Sequence, residues 1–135
     1  MDAKGAREIL FRGKQIDNGE WVEGYFVNLW LMHYQKHQPI ITDNNAVSYD
    51  VDPSTVGQYT GLTDKNGKKI FEGDVVAIER GWNETVKYHV FFDPQICGFI
   101  GDSINYIGFT TFEDDGINME VIGNIHDNPE LLKRF

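Results

Sequence analysis

The chain has 135 residues, 41% hydrophobic and 13% aromatic, which suffices for one core or for two small subdomains sharing one and excludes general disorder. Twelve Lys and Arg against 21 Asp and Glu leave a net charge of −9, which disfavours a nucleic-acid backbone or an anionic membrane as partner unless the basic groups segregate on one face. A single cysteine, Cys97, excludes an internal disulfide and a multi-thiolate zinc site; with no signal-like stretch and no apolar run of membrane length, the expectation is a soluble protein of the cytoplasm.

In chain order, residues 7–12 and 20–30 are apolar runs separated by Asp17-Asn18-Gly19-Glu20, and this spacing predicts a hairpin of two strands. Trp21, Tyr25, Phe26 and Trp30 suit a strand better than a helix. Residues 33–46 are polar and interrupted by Pro39, and read as a strand end followed by a loop. Asp52 before Pro53 predicts a single helical or 3₁₀ turn. Strands are expected near 58–63 and 68–79, then across 84–93, where Val86, Tyr88, Val90 and Phe92 alternate with Lys87, His89 and Phe91. Two more are expected in the stretches YIGFTTFE and MEVIGNI, on either side of an acidic turn. Asn128-Pro129 before Leu131 and Leu132 predicts one short C-terminal helix.

The stretch VGQYTGLTDKNGKKIFEGDVVAI, residues 56–78, imitates two ligand loops and satisfies neither. A phosphate loop needs four residues between its glycines and a hydroxyl after Gly-Lys. Gly61 to Gly67 encloses five, and Lys69 follows Lys68. An EF-hand starting at Asp64 would need glycine at position 69 and glutamate at 75, which are Lys69 and Val75. Asn66-Gly67 therefore reads as a type I′ hairpin turn, and Glu72-Gly73-Asp74 as a bend before a buried strand.

Candidate chemistry is sparse. His33 and His37 are four apart and form a weak metal pair that Asp43 or Asp50 would have to complete. Glu113, Asp114, Asp115 and Glu120 read as a solvated acidic turn, and Cys97 as a buried, inert thiol. No nucleophile elbow and no dinucleotide fingerprint is present, so an enzyme is not expected and neither is a cofactor. The loop residues Tyr59, Asp64 and Lys65 are the candidates for a binding surface.

The segments REILFRGK, DNGEWVEGY, STVGQYTGLTDKNGKKIFEGDVV and VIGNIHDNPELL, in that order from Arg7 to Leu132, resemble the YopX family of small phage and prophage proteins. The resemblance implies a mostly β protein built on a small antiparallel barrel with additional hairpin strands, and implies homo-oligomers. It carries no reaction and no catalytic residues. The expected organisation is one domain over 1–135, with an N-terminal β subdomain at 7–50 packed on a barrel at 54–132. The leading functional expectation is a non-enzymatic binding or assembly protein that contacts a copy of itself or a host or phage protein. Most of its aromatic residues are expected to fill the core, and an exposed tryptophan would mark the interface. The alternatives are a nucleic-acid-binding barrel using Arg7, Arg12, Lys14, Lys65, Lys68 and Lys69, or an acidic mimic of DNA. A metal-assisted hydrolase at His33 and His37 ranks last.

Overall fold

A computed structural model describes residues 7–81, 83–112 and 118–133. The chain is mainly β and divides into two compact units, one ending at Gly61 and the other starting at Leu62. One strand runs unbroken from Ser48 to Thr63, through that boundary.

In the first unit, β1 (Phe11–Gln15), β2 (Trp21–Leu31), β3 (Lys36–Thr42) and β4 (Ser48–Thr63) pair antiparallel in sequence order, and β1 pairs again with β4. That last pairing closes a four-stranded antiparallel barrel. So few strands enclose very little space, and glycine marks where the walls come closest. A Cβ on Gly13 would lie 3.1 Å from Ile41 Cδ1 and 3.2 Å from Val51 Cβ, and one on Gly24 would collide with the Thr42 carbonyl. Ile41 and Val51 are fully buried there.

The predicted β1–β2 hairpin is present, with Lys14 opposite Trp21 and the Asn18 side chain accepting a bond from the Glu20 amide. Within 33–46, expected to be a strand end followed by a loop, residues 36–42 form the full strand β3, because Ile40 and Ile41 are held by partners on both sides, Val27 and Phe26 on β2 and Asp50 and Tyr49 on β4. The helical turn expected at Asp52-Pro53 is a bulge within β4. Between the pairs Arg12–Gly57 and Lys14–Asp52, one residue of β1 faces four of β4. Asp52 Oδ1 accepts bonds from the Ser54 amide and hydroxyl, and Thr55 Oγ1 bonds the Asp52 carbonyl while accepting the Lys14 amide at 2.8 Å. Those bonds replace the ladder that Pro53 cannot join.

The second unit holds β5 (Lys69–Phe71), β6 (Asp74–Arg80), β7 (Glu84–Asp93), β8 (Gly98–Ser103), β9 (Phe109–Thr110) and β10 (Met119–Asn124). Five of these form a sheet in the order β10-β6-β7-β8-β9. Val76, Ile78, Val86, Tyr88, Val90, Ile70, Phe112 and Met119 pack into its core. The alternation expected in β7 holds at Val86, Tyr88 and Val90, and stops at the exposed Phe92. The C-terminal element is a 3₁₀ turn, Pro129–Leu132. Asn128 does not cap it; its Oδ1 accepts the amide of Asn124 at the end of β10. No helix among the described residues is long and apolar enough to cross a membrane.

Candidate interaction surface

Only the first part of β2 belongs to the barrel wall. β1 pairs with Trp21 to Gly24, and β4 pairs with β3 only at 40–42. Beyond these limits β2 and β3 continue as a two-stranded arm, with Asn28 opposite Pro39, Leu29 opposite Gln38, Trp30 opposite His37 and Leu31 opposite Lys36. A tight turn at 32–35 closes it through bonds from the Tyr34 amide to the Leu31 carbonyl and the Gln35 amide to the Met32 carbonyl, with Gln35 at φ 48°. On one face the His37 ring meets Trp30 edge-on at 4.9 Å, and His37 Nδ1 lies 3.3 Å from the Asn28 carbonyl.

The arm exposes what a soluble hairpin ordinarily hides. Tyr25, Val27 and Leu29 on one face and Trp30 on the other are exposed, as are Met32 (80%) and Tyr34 (73%) at the tip. Residues 24–42 contain no Asp or Glu, although the chain as a whole carries 21. This is an apolar, carboxylate-free surface on an acidic protein, the composition of an interface core.

The structure places the residues singled out from sequence elsewhere, apart from the two histidines. Tyr59 is buried in β4 of the first unit, with its amide bonded to the Leu10 carbonyl. Asp64 and Lys65 come together in the second unit, in the turn at 64–68. Only Gly67 of the Asn66-Gly67 pair takes a positive φ, so the turn is not the expected type I′. Asp64 organises it: Oδ1 accepts the amides of Asn66 and Lys68, and Oδ2 accepts the amide of Val121 on β10. Burial pushes the Asp64 pKa up, but these three amides and the Lys68 charge outweigh it and hold the carboxyl below its ordinary value. The Lys65 amide bonds the Met119 carbonyl, and its ammonium pairs with Glu120 at 3.5 Å on the surface.

His33 lies at the exposed tip of the arm, and His37 lies close to that tip, at the second residue of β3. Among the described residues no three of His, Cys, Asp and Glu converge in a way that could hold a metal ion. Cys97 is not buried: it is exposed in the turn between β7 and β8, at φ 53°. Glu113, Asp114, Asp115 and Trp82 lie outside the described residues. Of the basic residues, Arg12 and Lys14 both sit over the Trp21 ring, at 4.6 and 5.6 Å. His89 is half-buried on β7; burial lowers its pKa against the opposing pull of Asp102 and Glu72.

A family model described as YopX protein matches residues 10–133. In fold, the chain is similar to the crystal structure of protein EF1440 from Enterococcus faecalis, with a TM-score of 0.55 and 22% identity over 95% of this chain and 100% of that one. Among curated proteins no sequence matches.

Proposed function

The chain belongs to the YopX family, and on that premise we propose that it is a non-enzymatic binding or assembly protein, encoded by a phage or prophage and acting in the host cytoplasm through protein–protein contact. The observation that supports this reading is the β2–β3 arm, which presents exposed aromatic and aliphatic side chains without a single carboxylate. Each chain carries −9, so copies repel one another over most of their surface and least over the arm. A homo-oligomer formed through the arm is therefore the assembly that the charge distribution favours. The nucleic-acid alternative has weaker support, since Arg12 and Lys14 are spent on Trp21 and Lys65 on Glu120.

Native mass spectrometry of the purified chain tests this. The wild type is expected at a multiple of the chain mass, and the double variant Val27→Ser, Trp30→Ser at the mass of one chain with an unchanged far-ultraviolet circular dichroism spectrum. Equal masses for the two would remove the arm from the assembly.

A further inference from the structure

An arm of two strands has two backbone edges, and they are not alike. The outer edge of β3 carries Lys36 and Pro39, a charge and a residue without an amide hydrogen, both of which obstruct strand addition. The outer edge of β2 over 25–31, Tyr-Phe-Val-Asn-Leu-Trp-Leu, has no charge, no proline and no glycine. Among the described residues no strand pairs with it on the side away from β3. The outer edge of β10 shows the contrast, for there the 64–68 turn takes the Val121 amide and donates to the Met119 carbonyl. A two-stranded ribbon is itself marginal in water, and a third strand along β2 is what would stabilise it.

We infer that the occupant of the β2 edge is β2 of a second copy, paired antiparallel about a two-fold axis at Asn28. This rests on the assembly reading above and gives its geometry. The segment is close to palindromic in character. Centred on Asn28, the pairing sets Val27 against Leu29, Phe26 against Trp30 and Tyr25 against Leu31 of the other copy, all apolar or aromatic pairs that favour cross-strand contact. Asn28 meets itself as the single polar pair and fixes the register, since a slip by one residue sets it against an apolar side chain. The interface is isologous, with one surface patch serving both copies. The lack of carboxylates in 24–42 selects this partner over a basic one, which would gain nothing from a surface without acid.

Two measurements on the full chain test the register. In an antiparallel ladder alternate residues of β2 bond β3, and the intervening amides point to the open edge. Amide hydrogen exchange followed by nuclear magnetic resonance is expected to show those intervening amides of 25–31 becoming protected as concentration rises. A multimeric mass with these amides unprotected at every concentration would overturn edge pairing and leave assembly standing. A single-chain mass at every concentration would overturn both. Secondly, Asn28→Asp and Asn28→Lys place like charges opposite each other at the axis, and each alone is expected to weaken association about fivefold. Mixing the two is expected to restore it as mixed pairs. A mixture no stronger than its components would show that the axis does not pass through residue 28.

Discussion

The turn at 43–47 in the first unit and the turn at 64–68 in the second are built by the same hydrogen bonds. In each, the aspartate side chain accepts the amides two and four residues on, Asn45 and Val47 in one and Asn66 and Lys68 in the other. The aspartate amide bonds the carbonyl of the fifth residue, and the fourth residue bonds back to the aspartate carbonyl, in both cases. The fourth residue is left-handed in both, Ala46 at φ 61° and Gly67 at φ 80°. What differs is the second carboxylate oxygen. Asp43 turns it to the Tyr49 hydroxyl at 3.1 Å, near the surface, whereas Asp64, only 6% exposed, turns it to the Val121 amide of another strand. One motif thus serves as a local turn in the first unit and as a clasp on the sheet edge in the second.

The largest effect that would sharpen this contrast is expected for Asp64→Ala, which orphans three backbone amides, one of them on β10, and should cost about 3 kcal/mol in denaturant unfolding at neutral pH. Asp64→Asn keeps an acceptor for the turn and loses the one for Val121, so it should fall between Ala and wild type. Asp43→Ala should shift the midpoint less than Asp64→Ala. Equal losses would erase the distinction between turn and clasp.

Acid should act in the same direction. The folded-state pKa of Asp64 is depressed, so its contribution is complete above the unfolded value of 3.8 and is lost as pH falls below that toward the folded value. The stability gap between wild type and Asp64→Ala is therefore expected to be constant through neutral pH and to narrow below about pH 4. A gap independent of acid would mean that the charge on Asp64 is not what holds β10.

The fourth position gives the smaller effects. Gly67→Ala puts a Cβ into a left-handed conformation and should cost about 1 kcal/mol. Ala46→Gly relieves the same strain and loses some of it again to the greater freedom of the unfolded chain, for a net gain below about 1 kcal/mol. Changes of the same sign at both positions would show that the turns are not the same device.

These turns also show what the sequence makes legible. Asn66-Gly67 announces a turn because glycine is spelled out at the left-handed position; the turn at 43–47 hides because Ala46 fills it. The alternation of Val86, Tyr88 and Val90 is visible because β7 buries one face, while Val75 and Val76 on β6 are adjacent and both fully buried, so no period appears. Pro39 argued for a loop, yet it sits in the arm where β3 has a strand on one side only, a place where its missing amide hydrogen is tolerated. Cys97 sits among apolar neighbours in sequence, but the β7–β8 turn carries it outward. The candidate surface was the least legible part. Val27, Leu29 and Trp30 look like core residues, but all three are exposed, and the extent of the ladders, β1 stopping at Gly24 and β4 at Ile40, leaves Leu29 and Trp30 beyond the barrel.

The closure of β1 on β4 also sets the order in which the first unit can be made. Phe11 pairs with Gln58, near the other end of the unit, while β1–β2 and β2–β3 pair across short connections. On a ribosome the meander of β1, β2 and β3 can form as it emerges, but β1 keeps one edge unsatisfied until β4 has been synthesised to Gln58. Joining ends so far apart carries the loop-closure entropy that slows non-local β pairing, so completion of the ring is the last step in making the first unit. Until then the nascent chain exposes a second open strand edge beside that of the arm, and the pace of translation through residues 43–58 sets how long that edge is available to other chains.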